Sequence, residues 1–313
     1  MAKRASRNSP KGAKNWGMAI LLPGIAVVAL LLLWYTSSRP TGSSQPVQFP
    51  HIHGLGFSAD GRQLFVPAHD GFRIFENGHW FVPDIPAHDY MGYSPTDNGF
   101  YSSGHPGIRT NFVNPLGLLK STDGGQTLIT LDVEGESDFH LMSVGYKNHA
   151  IYVFNPEPNS KLPTGFHYSL DDGETWEPMA AQGIVGNPIQ IAVHPIEAQT
   201  VALAAEGGLF LSTDYGNTFA QISQAAPVTS VAFDPRGQRL LFGYQPLNSY
   251  DLESEQISTL NTPTITGEDA INYIAVNPLS EQIAIATFFL DIYFSSDNGK
   301  TWDQIAQQGV GRT

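Results

Sequence analysis

The feature that most constrains this chain is an eight-residue phrase that returns four times. The copies are Ser121-Thr-Asp123-Gly-Gly125-Gln-Thr127-Leu128, Ser169-Leu-Asp171-Asp-Gly173-Glu-Thr175-Trp176, Ser212-Thr-Asp214-Tyr-Gly216-Asn-Thr218-Phe219 and Ser295-Ser-Asp297-Asn-Gly299-Lys-Thr301-Trp302. Each reads as a hairpin turn. The aspartate can accept backbone N–H groups, the glycine supplies a positive φ, and the large apolar residue packs as the next strand begins. That role is a sufficient explanation of Asp123, Gly125, Asp171, Gly173, Asp214, Gly216, Asp297 and Gly299, which are expected to determine the fold and do no chemistry. The copies begin at 121, 169, 212 and 295, so the last interval, nearly twice the others, contains a unit that has lost its phrase. Self-similarity at such a period means stacked supersecondary units.

A second signal marks the start of each unit: Leu55-Gly-Phe57, Met91-Gly-Tyr93, Val144-Gly-Tyr146, Ile191-Ala-Val193, Val231-Ala-Phe233 and Ile274-Ala-Val276. Turn residues and a further apolar run follow each. Short strands evenly spaced, with Gly and Pro between them, fit an all-β propeller, whose strand edges stay short and protected. Six starts predict six blades of four antiparallel strands. The unit near Tyr250–Ser258 lacks the phrase, and the first unit replaces it with Glu76-Asn-Gly78-His.

The phrase resembles the Asp-box, or BNR, repeat of sialidases and of sortilin-type propellers, and the resemblance runs from about residue 51 to the C-terminus. It implies that the phrase joins the third and fourth strand of a blade, away from the functional face. It also implies that each first strand lines the central channel and that the loop between second and third strands returns to the functional face. Proteins similar to this one are often labelled glycosylhydrolase, but a fold hosts many activities.

Before the repeats comes a different kind of chain. Residues 1–16 carry five of the 16 basic residues, and no acidic residue occurs before Asp60. Residues 17–35 are uncharged and mostly apolar, close to the roughly 20 residues that span hydrocarbon. Trp16, Trp34 and Tyr35 flank the run, where aromatic rings favour the headgroup zone. A single-pass helix in the lipid bilayer is expected, with a cytoplasmic N-terminus and the rest facing outward, as in a bacterial plasma membrane. A cleaved signal peptide is the competing reading; the apolar run exceeds a usual signal core, and no clear small-x-small site follows. Residues 36–50, rich in Ser, Pro, Gly and Gln, read as a linker, and 51–313 as the propeller, expected to be a monomer. Beyond residue 45 stand 10 basic and 29 acidic residues, a balance that should repel nucleic acid. With no cysteine there is no disulfide, thiolate ligand or thiol nucleophile.

The candidate chemistry lies among the histidines. His51 and His53, two apart on an extended segment, point the same way. Aligning the units places Asp89 at the position of His53, and His140 and Met142 at those of His51 and His53. His69 and His105 end second strands, with Glu206 in the matching place of another blade. His51, His53, His69, Asp89, His105, His140 and Met142 are therefore expected at one channel mouth. Imidazoles, a thioether and a carboxylate without thiolates suit a transition metal, copper or zinc. A site for a small polar ligand, or a wet channel lined by histidines, are the other readings.

Two further classes compete. Phe72-Arg73-Ile74-Phe75 resembles the sialidase motif that carries the first carboxylate-binding arginine, but its final proline is missing and only Arg73 and Arg109 could join such a cluster, one short of three. Glycoside hydrolysis of another kind needs two carboxylates flanking the bond; Asp70, Asp89, Glu206, Asp138, Glu268 and Asp269 are the candidates. An interaction or assembly module with a glycan or protein ligand is the third class, with Phe288-Phe289, Tyr244 and Tyr101 as possible surface aromatics or ordinary packing.

Overall fold

A computed structural model describes residues 46–313 except Arg109, Ala226 and Thr313. The expected tail, membrane span and most of the linker fall outside the described residues, within which no helix is long and apolar enough to cross a membrane.

The described chain is all β. Blade one holds β1 (Gly56–Phe57), β2 (Leu64–Ala68), β3 (Gly71–Glu76) and β4 (His79–Phe81); blade two holds β5 (Asp89–Thr96), β6 (Gly99–His105), β7 (Leu118–Ser121) and β8 (Ile129–Asp132). Blade three holds β9 (Met142–Val144), β10 (Ile151–Asn155), β11 (Gly165–Ser169) and β12 (Glu177–Pro178). Blade four holds β13 (Pro188–Val193), β14 (Val201–Ala205), β15 (Gly208–Ser212) and β16 (Ala220–Ser223). Blade five holds β17 (Ser230–Phe233), β18 (Arg239–Gly243), β19 (Leu247–Asp251) and β20 (Ile257–Thr259). Blade six holds β21 (Ile271–Val276), β22 (Ile283–Thr287), β23 (Ile292–Ser295), β24 (Asp303–Gln307) and β25 (Val310–Gly311). Strands in each blade pair in chain order and antiparallel. The innermost strands neighbour one another in the order β1, β5, β9, β13, β17, β21, and β21 lies beside β1, which closes the ring. This is the six-bladed propeller that the six starts predict.

Second strands are mostly apolar because a neighbouring blade covers each of their faces: Val201–Ala205 and Ile283–Thr287 are buried at every position, and β6, which carries Ser102 and Ser103, is the most polar of them. The blade interfaces are the core, with Leu203, Phe210 and Tyr152 packed at one and Leu241, Ile283 and Ile285 at another.

The four phrases form four equivalent turns. In each, the serine hydroxyl accepts the N–H of the glycine at 2.8–2.9 Å, and one aspartate oxygen accepts the N–H of the threonine at 2.8–2.9 Å. Two successive residues take positive φ, 58° then 87° at Asp172 and Gly173. A Cβ at Gly173 would stand 2.8 Å from Leu118 of the preceding blade, so glycine also allows the turn to tuck under its neighbour. The indoles extend the stitch: Trp176 Nε1 donates to Asp132 at 2.9 Å, and Trp302 Nε1 to the Asn261 carbonyl at 2.6 Å.

One boundary differs from expectation. Residues 46–50 belong to the packed domain, not to the linker. Gln48 bridges Val310, Phe49 N–H donates to the Gly309 carbonyl at 2.7 Å, and Gly311 N–H donates to the Val47 carbonyl at 2.8 Å. Phe49 is 1% exposed and meets Trp80 edge-on, ring centres 4.8 Å apart. Trp80 in turn donates to the Ile305 carbonyl at 2.7 Å, so the two ends of the domain and its first and last blades meet at one clasp.

Candidate metal centre

The site is assembled from blades one to three. The residues before β1 run beside the end of β2: Ile52 bridges Ala68, and His53 N–H donates to the Pro67 carbonyl at 2.9 Å. His69 follows β2 immediately, so it stands next to His53, ring centres 6.0 Å apart, and exposed His51 packs edge-on against His53 at 4.6 Å. Asp89 opens β5 directly opposite His105, the last residue of β6. Gly104 makes that close pairing possible, because a Cβ there would collide with the Asp89 carbonyl. Asp138 and His140 flank Phe139, which is fully buried and donates its N–H to Ser103 Oγ at 2.9 Å. Residues two apart on an extended chain share a direction, so this anchor sends Asp138 and His140 to the same side.

The result is two carboxylates, each between two imidazoles. His53 Nε2 lies 3.2 Å from Asp89 Oδ1, and His69 Nδ1 lies 2.7 Å from Asp89 Oδ2. Neither approach has the angle of a hydrogen bond, so His53 Nε2 and both Asp89 oxygens are buried without a partner. Such groups cost about 1–3 kcal/mol each when nothing compensates them. One donor atom from each of the three residues fits within a 4.8 Å span. Two ligand atoms held about 2.1 Å from one ion at tetrahedral or right angles stand about 3.0–3.4 Å apart, which is close to the His53–Asp89 separation.

The electrostatics divide the two groups. Burial, reinforced by His51, His69 and His140, lowers the His53 pKa to about 4, so its ring is neutral at neutral pH and offers a lone pair. Burial raises the Asp89 pKa, opposed by the surrounding imidazoles. His140 moves up because Asp138 hydrogen-bonds to it at 2.7 Å. His105 Nε2 approaches the same Asp138 oxygen at 3.1 Å.

Met142 starts β9, is 7% exposed and lines the central channel together with His53 and His140. The channel has a volume of about 340 Å³ and is walled by the innermost strands of all blades. Among the described residues lining it there is no Asp, Glu, Lys or Arg.

Other expected residues lie elsewhere. Arg73 is 6% exposed and spent on structure: Nε donates to the Gln48 carbonyl at 2.8 Å and Nη2 to Asp70 at 2.6 Å, which also occupies Asp70. Arg73 is therefore not free to grip a substrate carboxylate, Asp70 spends one oxygen on Arg73, and Arg109 lies outside the described residues. The carboxylate of exposed Glu206 is held by Asn187, at 3.0 and 3.1 Å. Asp269 accepts the N–H groups of Ala270 and Phe289 and shapes a loop. Tyr101 is buried packing, its hydroxyl on Asp172 at 2.6 Å, while Phe288 and Phe289 are about half exposed, Phe288 at the channel rim.

Two contributors escape sequence reasoning. His88, 1% exposed beside Asp89, packs against Tyr90 and Phe112, and its Nδ1 accepts the Gly107 N–H at 3.2 Å. Its place next to the aligned Asp89 was the available signal. Asn114, whose Oδ1 is 2.7 Å from His105 Nδ1, sits in a loop without pattern and offered none.

No protein-family model matches this sequence, and no curated protein matches it. Solved structures match the fold. A GH74 enzyme of Niastella koreensis superposes with a TM-score of 0.56 at 16% identity, over 84% of this chain and 46% of that one. A GH74 xyloglucanase of Xanthomonas campestris gives 0.54 at 13% identity, over 83% of this chain and 46% of the other. YCF48 bound to D1 peptide gives 0.47 at 17% identity, over 83% of each chain. At these identities the likeness to the two GH74 enzymes shows the fold alone, and this chain spans less than half of their length.

Proposed function

We propose that this protein binds a transition-metal ion at the channel mouth through His53, His69 and Asp89, with His51 and Met142 beside it. The observation that carries the reading is that His53 Nε2 and both Asp89 oxygens are buried without a hydrogen-bond partner, with Nδ1 of exposed His69 2.7 Å from Asp89 Oδ2. Two neutral imidazoles and one carboxylate leave a single negative charge, and nitrogen with oxygen donors suits copper or zinc. The reading extends to the whole chain: an Asp-box propeller held at the outer face of a bacterial plasma membrane by residues 17–35, acting as a metal-binding module. Elemental analysis and calorimetry on the full chain in detergent test it. The expected outcome is tight copper or zinc binding that His53→Ala/His69→Ala abolishes at this site. An ion retained undiminished by that variant, or none in the parent, sinks the reading.

Glycoside hydrolysis is the second reading, because a carboxyl whose affinity for protons is raised by burial, such as Asp89, is suited to act as a general acid. The occupied Arg73 and Asp70 weigh against it. A screen of β-glucans, xyloglucan among them, with Asp89→Asn as control, separates the two readings.

A further inference from the structure

Where the repeated phrase is present, its turn closes against the preceding blade. A Cβ on Gly125 would stand 3.0 Å from Ile85, one on Gly173 2.8 Å from Leu118 and one on Gly299 3.5 Å from Leu260. Blade one replaces the phrase with a tight hairpin, Asn77-Gly78 between β3 and β4, and a Cβ on Gly78 would meet nothing within 4 Å. Trp80 still reaches blade six through the Ile305 carbonyl, but beside that bond a groove of about 440 Å³ stays open between the two blades, bounded by the hairpin. It is built at the start of β2, the opposite end of that strand from His69, and is therefore separate from the proposed metal centre.

Two properties of the lining define what it can hold. The first is aromatic: Phe75 and Phe294 are partly exposed with ring centres 5.8 Å apart, and Phe57 lies 6.2 Å from Phe294. Both neighbours are inclined by 57° to Phe294, so the three rings are arranged as walls and not as a stack. The second is charge. Among the described residues that line the groove the charged ones are Arg62, Glu76 and Asp303. Arg62 is committed to Asp60, through Nε at 2.7 Å and Nη2 at 2.6 Å, and that pair adds no net charge. Glu76 accepts one hydrogen bond from Gln63 at 3.1 Å, and the exposed Asp303 carboxylate has no hydrogen-bond or ion-pair partner among the described residues. Two carboxylates thus stand over an aromatic hollow without a cation of their own.

We infer that this groove binds a small organic cation, a quaternary or protonated amine. The faces of aromatic rings attract weakly hydrated cations, and quaternary ammonium groups are the ligands that such walls suit best. The volume falls within the range of small-molecule sites. An anion would face both carboxylates, and a neutral apolar ligand would leave them unused. A free amine is favoured over a phospholipid headgroup, because the headgroup phosphate would be brought towards Glu76 and Asp303.

The test uses choline and neohexyl alcohol, which replaces the ammonium nitrogen by carbon, on the full chain in an uncharged detergent, read by ligand-observed NMR and calorimetry. Choline is expected to bind and neohexyl alcohol not. Phe294→Leu and the double variant Glu76→Gln/Asp303→Asn should each weaken choline about tenfold, while His53→Ala/His69→Ala leaves it unchanged. Melting curves identify a variant that has lost its fold; the double variant, whose changes lie at the groove rim, then decides. Glycerophosphocholine should bind less well than choline, and equal binding would overturn the assignment to a free amine in favour of a lipid headgroup. No saturable binding of choline, equal binding of choline and neohexyl alcohol, or choline binding that the double variant leaves undiminished overturns the site. Each of these outcomes leaves the metal reading untouched.

Discussion

At the scale of single residues, the turn aspartates have a measurable signature. The Thr218 N–H and hydroxyl, with Ser212, lower the Asp214 pKa from its ordinary 3.8 to about 2, and Thr301 and Ser295 do the same for Asp297. A carboxyl whose folded value is depressed stabilises the fold at pH above its unfolded value, and that contribution is lost as the pH falls through the folded value. The melting temperature should therefore drop between about pH 4 and pH 2, and Asp214→Asn/Asp297→Asn should flatten that drop while lowering the neutral-pH value. Thermal melts across the range check both. These aspartates were legible because serine, aspartate, glycine and threonine act within eight residues of chain. Arg73 was not, because its long-range partner, the Gln48 carbonyl, comes from a segment whose composition reads as linker.

At the scale of elements, the clasp is the informative unit. Phe49, Trp80 and the Ile305 carbonyl come from the entry segment, blade one and blade six, and the three residues lie in one buried cluster in which Trp80 touches both of the others. Phe49→Ala should cost about 3–5 kcal/mol, as large-to-small aromatic changes in cores do. Paired with Trp80→Ala, the losses should fall short of additivity by about 0.5–1.5 kcal/mol, the usual worth of an edge-on aromatic pair. Urea unfolding of the parent, both single variants and the double variant measures the coupling. Additive losses would mean that the two rings act independently.

At the scale of the whole molecule, the ring has one seam, between blade six and blade one, and several small devices hold it. The β1–β21 contact, the Trp80 bond, Gln48 with Val310 and the Asn277 amide on the Gly61 carbonyl at 2.7 Å all cross the seam or tie the termini beside it. Ending the chain at Gln307 removes β25 and the partner of residues 47–49. It should lower the melting temperature and make the seam blades the first to exchange amide hydrogens, read by mass spectrometry; uniform exchange in all six blades would show that the end clasp is dispensable. The central channel follows from the same closure, since six innermost strands leave a passage that their uncharged side chains only partly fill.

By itself the sequence determined what depends on neighbours along the chain: four hairpin turns, six strand starts, mostly apolar second strands and hence a closed ring of six blades. It also placed His51 with His53, and His69 and His105 at strand ends, because an extended chain alternates its faces with a period of two. Only the tertiary structure decided which of these meet. Asp89 sits between His53 and His69, and Asp138 between His105 and His140, because adjacent blades are set side by side at an angle and β5 pairs with β6 in one register. It also decided that Phe49 is core and that Arg73 is structural, since both depend on contacts between parts of the chain far apart in sequence, and no local pattern encodes those distances.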